Sequence, residues 1–225
     1  MTGVAWDSVH MVYLLSEERM STYITATDGD LDSAFELYAW NIELAAALQS
    51  ATAMVEVVAR NAIDHVLTSW SHVKYSSSDW FNLPVFDERT KKDITVARQR
   101  VHRSGSQVSH GKILAELSFG FWRFLTSKKY LTTLWTPAIY RAFPNGDKDI
   151  WTRQKQVTRL LGNMTFIRNR AAHLEPLFRR DVYRDMSEAR ALMSWIDHDA
   201  LAWFNSTLKL DGVLQAKPAF LDSKS

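Results

Sequence analysis

Residues 37–66 read LYAWNIELAAALQSATAMVEVVARNAIDHV, and this stretch decides the fold of the chain. Its apolar residues recur at steps of three and four, as they do along one face of an α-helix. They are Leu37, Trp40, Leu44, Leu48, Ala51, Val55, Val58, Ala62 and Val66. Neither glycine nor proline occurs between Gly29 and Pro84. We therefore predict one long amphipathic helix, or two nearly collinear ones, that begins near an Asp30 cap and fades at Trp70 to His72.

The segments on either side of this helix also have helical patterns, and no stretch shows the alternation of a strand. We expect helices over residues 16–27 with a Ser16 cap, 87–103, 110–127, 130–143, from an Asp147 or Asp149 cap to about Leu174, and 181–204. Gly120, inside the apolar segment 110–127, would allow a close helix crossing. The sequence thus predicts an all-α bundle of about five to seven helices.

Three parts are expected along the chain. Residues 1–28 form an N-terminal segment with a short helix, residues 29–205 the helical domain, and residues 206–225 a loosely ordered tail.

Composition narrows the class of protein. Hydrophobic residues make up 46% of the 225 residues, with nine Trp, eleven Phe and seven Tyr, which is ample for a core. The absence of cysteine excludes disulfides and Cys-based metal sites or nucleophiles. The N-terminus shows no signal-peptide pattern, and no run approaches the roughly 18 apolar residues of a membrane span. We expect a soluble, cytoplasmic protein without a membrane partner.

Positive charge is concentrated in one part of the sequence. The whole chain carries a net charge of +2, but residues 141–184 hold ten Lys or Arg and four acidic residues, a local charge of +6. Such a region suits a polyanion. Taken alone, the charge fits a solvated helix face with scattered ion pairs equally well.

Residues 166–176, FIRNRAAHLEP, combine a permanent cation with a group that titrates near neutral pH. These are two of the groups needed to cleave a phosphodiester without a metal. RNA carries its own nucleophile, the 2′-hydroxyl, so its cleavage needs a base for that proton, an acid for the leaving oxygen and a cation beside the pentacovalent phosphate. His173 can serve as base or acid, and Arg168 can stabilise the developing charge. A histidine that stabilises a helix C-terminus is the structural alternative for His173, and an interface ion pair is the alternative for Arg168.

Four motifs occur in the same order as in the Abi-like (abortive-infection) branch of the HEPN superfamily, which this chain resembles. They are LYAWN at 37–41, EVVARNAI at 56–63, LSFGFW at 117–122 and IRNRAAHLEP at 167–176. The resemblance covers residues 31 to about 178. It implies an α-helical HEPN core, a homodimer whose signature helices face the dimer axis, and often a metal-independent endoribonuclease. It also implies bacterial defence against phage or a toxin–antitoxin-like system, in which a regulatory protein partner is possible.

The resemblance assigns roles to individual residues. Arg168 and His173 would be catalytic. Asn169, which lies four residues before His173 on the same helix face, would orient the imidazole or bind substrate, and Arg170 would contact phosphate. Arg168 and His173 are about 140° apart around an ideal helix, so they are not neighbours on it. Either the helix distorts near His173, or the arginine reaches round, or the two serve opposite sides of a dimer cleft. The last option would supply two histidines to one cleft.

The EVVARNAI motif would lie close to the signature helix. We expect Glu56, Arg60 and Asn61 to buttress Arg168 or the dimer, with direct contact to substrate as the alternative. Phe119, Phe121 and Trp122 are read as core residues rather than as stacking surfaces. No histidine spacing suits a metal, and no Gly-rich phosphate loop occurs, so no cofactor or metal is expected.

Two other functions remain open. One is a non-catalytic HEPN module that binds RNA or a protein partner, as a sensor or antitoxin. The other is a purely structural dimerising bundle without salt-dependent affinity for polyanions.

Overall fold

The structure is a computed structural model that describes residues 6–105 and 107–224, with the side chains of residues 222–224 left out. The remaining parts of the predicted N-terminal segment and tail lie outside these residues. The described chain is helical throughout and contains no strand, which confirms the all-α prediction.

Ten α-helices occur in the described residues, more than the five to seven expected. They are α1 Ser8–Leu15, α2 Glu17–Ala26, α3 Leu31–Tyr75, α4 Glu88–Arg103, α5 His110–Glu116, α6 Phe119–Leu125, α7 Ile150–Ala172, α8 Val182–Ile196, α9 His198–Thr207 and α10 Asp211–Gln215. Short 3₁₀-helices cover Trp80–Asn82, Lys128–Tyr130, Ile139–Ala142 and Ala219–Lys224, and a π-helix covers Leu131–Trp135.

Polar caps place the helix starts where the sequence predicts them. The Ser16 hydroxyl accepts a hydrogen bond from the Arg19 N–H at the start of α2. Asp30 accepts from the Ser33 N–H at 3.0 Å, and α3 then continues unbroken to Tyr75 as one helix. Asp149, rather than Asp147, caps α7 by accepting from the Thr152 N–H at 3.0 Å.

The buried face of α3 differs from the predicted one in its second half. Leu37, Leu44, Leu48, Ala51 and Val55 are fully buried as expected. Beyond them, however, Ala59, Ile63 and Leu67 are fully buried, whereas Val58, Ala62 and Val66 are only partly covered. Several positions are apolar on both sides of this seam, so periodicity alone cannot select the buried row.

The apolar segment 110–127 is two helices rather than one. Leu117 and Ser118 have extended backbones, and the Ser118 hydroxyl accepts from the Phe121 N–H to cap α6. The expected close crossing at Gly120 is wrong, because a Cβ there would meet only the Ser118 hydroxyl, at 3.7 Å.

The C-terminal region is also more divided than expected. Asp197 has an extended backbone and separates α8 from α9 where one helix was predicted. The described part of the predicted tail contains α10 and a final 3₁₀-helix. Leu210 is buried, and the Trp40 indole N–H donates a 2.7 Å hydrogen bond to the Val213 carbonyl.

The chain forms two compact units that interleave in sequence. The first comprises the described residues up to Ser50, Asn169–Arg180 and the segment from Leu208. Its core includes Met20, Tyr23, Leu37, Leu44, Leu48 and Leu177. The second comprises Ala51–Arg168 and Asp181–Thr207. Its core is aromatic and includes Trp80, Phe121, Trp122, Trp135, Phe143 and Phe204. These compact units divide the chain at residues other than 28 and 205, the boundaries predicted from the sequence. The three-part domain organisation therefore stays a prediction.

Helix α3 is long and apolar enough to cross a membrane by length and composition, so the expectation that no run approaches a span is wrong. Within its most apolar 18-residue window, 44% is buried. The core helix of a soluble protein passes the same test, and the helix therefore does not assign a location.

Candidate functional site

In the second unit, the structure brings the EVVARNAI motif to Arg168. Burial raises the pKa of the Glu56 carboxyl, and the positive charges of Arg168 and Arg60 oppose that rise. Arg168 is exposed on α7, whereas Glu56 and Arg60 are partly buried on α3. Asn61 is partly buried as well. A carboxylate that two guanidinium groups attract can help to fix the direction in which Arg168 points.

Arg60 keeps one donor without a partner. Its Nε atom is buried and makes no hydrogen bond within residues 6–105 and 107–224. A buried N–H without an acceptor costs about 1–3 kcal/mol.

In the first unit, His173 directly follows α7, the helix that carries most of the IRNRAAHLEP motif. Its backbone N–H donates to the Asn169 carbonyl at 3.2 Å and closes the last turn. The Leu174 N–H donates to Ala171 at 3.1 Å, and the Glu175 N–H donates to Arg170 at 2.9 Å. This pattern is a Schellman motif with His173 as the C-cap. Its side chain is exposed to solvent.

The residue after His173 has an unusual backbone. Leu174 has φ of 50°, in the left-handed region that glycine normally occupies at this position. For a residue with a Cβ this conformation costs about 1–2 kcal/mol. Arg19 offsets part of that cost, because its Nη1 donates to the carbonyls of His173 and Leu174 at 3.3 and 3.2 Å.

Asn41 fixes the chain beyond this turn. Its side chain is fully buried, donates to the Glu175 carbonyl at 3.2 Å and accepts from the Leu177 N–H at 2.7 Å. The Trp-Asn pair of the LYAWN motif thus fixes two other segments of the chain. Trp40 binds the Val213 carbonyl in α10, and Asn41 binds the backbone of Glu175 and Leu177 after α7.

Arg170 makes structural contacts. Its Nε lies 3.4 Å from a Glu175 carboxylate oxygen, and its Nη2 donates to the Pro176 carbonyl at 3.0 Å. The charge of Arg170 also acts on Tyr23. Burial and the neighbouring Tyr38 raise the pKa of the Tyr23 hydroxyl, and the charges of Arg19 and Arg170 oppose that rise. These contacts occupy a side chain that the sequence assigned to substrate.

The structure divides the predicted site residues between the units. Arg168 belongs to the second unit with Glu56, Arg60 and Asn61, whereas Asn169, Arg170 and His173 belong to the first. The three interpretations of how Arg168 and His173 cooperate therefore stay open. Asn169 is exposed, and its backbone carbonyl accepts the hydrogen bond from the His173 backbone N–H.

A basic groove in the second unit was not predicted. It has a volume of about 840 Å³ and is lined on one side by α7. Cations line it, namely Arg123, Lys128, Lys155 and Arg159. Two aromatic side chains of α7 also line it and stay open to solvent, Trp151 at 53% and Phe166 at 46%.

The helical spacing explains this groove. Trp151, Lys155, Arg159 and Phe166 follow one another at steps of four, four and seven, which keeps them on one face of α7. Trp151 and Phe166 are about 22 Å apart along the helix axis. Arg159 contacts Glu188 at 2.5 Å, so its charge is partly balanced. A cationic groove with exposed rings can bind phosphates and stack unpaired bases.

The aromatic motif LSFGFW has no such role. Phe119, Phe121 and Trp122 are 3%, 2% and 0% exposed, which confirms that they are core residues. Among the described residues, no group of three His, Asp or Glu side chains is placed to hold a metal ion.

The chain matches no protein-family model, no curated protein and no solved structure.

Proposed function

We propose that this chain is an endoribonuclease of HEPN type that acts as a homodimer and cleaves RNA without a metal cofactor. The basic groove along α7 carries the proposal, because it combines four cations with two exposed aromatic rings. Phosphates suit the cations, and unpaired bases suit the rings. Arg168 lies on the same helix, two residues after Phe166 and about 160° around it from the face that lines the groove.

The proposed chemistry uses the nucleophile within the RNA. A histidine takes the proton of the 2′-hydroxyl, whose oxygen attacks the adjacent phosphorus. The bond from phosphorus to the 5′-oxygen breaks, and that oxygen receives a proton. The products are a 2′,3′-cyclic phosphate and a 5′-hydroxyl. Arg168 stabilises the charge that develops on the phosphate oxygens.

His173 fits the role of base because its imidazole is exposed at a turn that Arg19 and Asn41 hold in place. One histidine does not easily act as base and acid in the same step. A two-fold homodimer supplies a second His173 to protonate the leaving oxygen. The unpartnered Nε of Arg60 and the position of Glu56 beside Arg168 support roles in orienting Arg168 or the dimer.

The biological setting follows from the resemblance alone. We propose a cytoplasmic enzyme of abortive infection or of a toxin–antitoxin-like system, in which a regulatory protein partner restrains the activity.

The second candidate is a non-catalytic HEPN module that binds RNA or a protein partner. The structural contacts of Arg170 favour it, because they remove one of the predicted substrate contacts.

Incubation of the purified chain with total RNA in EDTA distinguishes the two functions. Fragments that end in 2′,3′-cyclic phosphate support the enzyme. A gel shift with RNA that stays intact supports the binding module. Neither cleavage nor a salt-dependent shift would overturn both.

A further inference from the structure

A separate cavity of about 600 Å³ lies in the second unit and shares no lining residue with the basic groove. Its apolar walls include Phe81, Val108 and Ile113. Its polar lining includes Asp64 and Thr68 of α3 and His110 at the start of α5. Volume and lining match the usual small-molecule site, an apolar cavity with a few polar groups.

Asp64 fixes the orientation of His110. One carboxylate oxygen of Asp64 lies 2.7 Å from His110 Nε2 and accepts a 2.6 Å hydrogen bond from the Trp80 indole N–H. An ionised carboxylate only accepts, so Nε2 is the nitrogen that donates. In the neutral ring the lone pair is then on Nδ1, which becomes a hydrogen-bond acceptor. The Phe81 ring also packs against the imidazole, with 4.7 Å between the two ring centroids.

Thr68 supplies a second polar group without a partner. Its hydroxyl oxygen is buried and makes no hydrogen bond in the described part of the chain. A buried hydroxyl left unpaired costs about 1–3 kcal/mol. A ligand that donates to this oxygen or accepts from it removes that cost.

The charges of the cavity select the kind of ligand. Asp64 and Asp79 both line it, and none of its lining residues is a lysine or arginine. The nearby cation Arg98 lies 3.6 Å from a carboxylate oxygen of Asp79. A phosphate-bearing ligand would therefore meet negative charge, whereas N–H donors would meet acceptors on Asp64 and His110.

We propose that this cavity binds a small, uncharged nitrogen heterocycle with N–H donors, of the size of a nucleoside. His110 Nδ1 and Asp64 accept from its N–H groups, Thr68 completes the polar contacts, and Phe81 and Ile113 cover its ring. This site is independent of the proposed RNA cleavage.

The test is an NMR titration of the full chain, followed at the indole N–H resonance of Trp80, which donates to Asp64 at the cavity. The probes are adenosine, guanosine, cytidine and uridine, each beside its 5′-monophosphate. We expect at least one nucleoside to bind saturably with a Kd below about 1 mM. The affinity for its 5′-monophosphate should be lower by about tenfold or more, because the phosphate meets the negative charges of Asp64 and Asp79.

Variants locate the binding in this cavity. His110→Gln and the near-isosteric Thr68→Val should each weaken the nucleoside about fivefold or more, through a lost hydrogen bond. Lys155→Ala, in the basic groove, should leave the affinity unchanged. The proposal is overturned if no nucleoside saturates, if a monophosphate binds as well as its nucleoside, or if both cavity variants bind like the wild type.

Discussion

The side-chain oxygen of Asn41 accepts a 2.7 Å hydrogen bond from the backbone N–H of Leu177, 136 residues further along the chain. The amide nitrogen of the same side chain donates to the Glu175 carbonyl. Asn41 is 0% exposed, so neither bond competes with water. This pair explains why a Trp-Asn motif early in the sequence accompanies a Glu-Pro exit near residue 175.

Asn41→Ala should destabilise the protein by about 2–4 kcal/mol, because two hydrogen bonds are lost and the Leu177 N–H stays buried without a partner. Chemical denaturation at pH 7 measures this. Ser50→Ala, an exposed change on the same helix, should stay within about 0.5 kcal/mol of the wild type. Equal stability of the two variants would show that Asn41 does not hold the exit.

The groove cations should set the salt dependence of RNA binding. In Lys128→Ala/Lys155→Ala, the slope of log K against log salt for single-stranded RNA should fall by about 1.4, since each phosphate contact contributes about 0.7. The matched control is Lys92→Ala/Lys112→Ala, which removes two exposed lysines outside the groove. An equal loss of slope in both double variants would mean that charge in general, and not the groove, binds RNA.

Glu56→Gln should separate stability from activity. Burial raises the folded-state pKa of Glu56, so the ionised carboxylate is disfavoured in the folded protein and its contribution to stability decreases as pH rises through that pKa. A neutral isostere should therefore be as stable as the wild type at pH 7, or more stable. RNA cleavage should fall about tenfold, because Arg168 loses the group that orients it. A less stable variant with full cleavage would make Glu56 purely structural.

Asp87 should contribute to stability above acidic pH. Although burial opposes it, hydrogen bonds from Lys129, Thr90 and Tyr130 hold the pKa of the Asp87 carboxyl far below its usual range. A lowered folded-state pKa gives stability that is present above the unfolded pKa of about 4 and is lost as pH falls below it.

Accordingly, Asp87→Ala should cost about 2–3 kcal/mol at pH 7 through the lost cap and ion pair. The gap to the wild type should narrow when unfolding is measured at pH 3. Glu43→Ala, an exposed change on α3, provides the control. A gap that stays constant from pH 7 to pH 3 would contradict the assigned ionisation.

The caps and periodicity predicted the helices because those signals are local. Ser16, Asp30 and Asp149 accept backbone N–H bonds near the predicted helix starts. The helix breaks at Ser118 and Asp197 were not predicted, because the sequence pattern on both sides of each break is helical. A capping serine inside an apolar run was the available signal at Ser118.

The candidate site was predictable in part. The motif pattern placed Glu56 near Arg168, and the charge of Arg168 does act on Glu56. The exposed faces of Trp151 and Phe166 were not predictable, because exposure depends on which neighbours cover a helix and not on its own sequence. The turn after His173 was not predictable either, because the usual sequence signal for it is a glycine. Leu174 adopts the left-handed backbone conformation that glycine normally occupies there.

His173→Ala tests the central claim most directly. The measurement is cleavage of total RNA in EDTA by the wild type, by His173→Ala and by His198→Ala, an exposed histidine on α9. Thermal melts check that all three are folded. We predict that His173→Ala binds RNA but does not cleave it, whereas His198→Ala cleaves like the wild type. Wild-type cleavage by a folded His173→Ala protein would contradict the proposed enzyme.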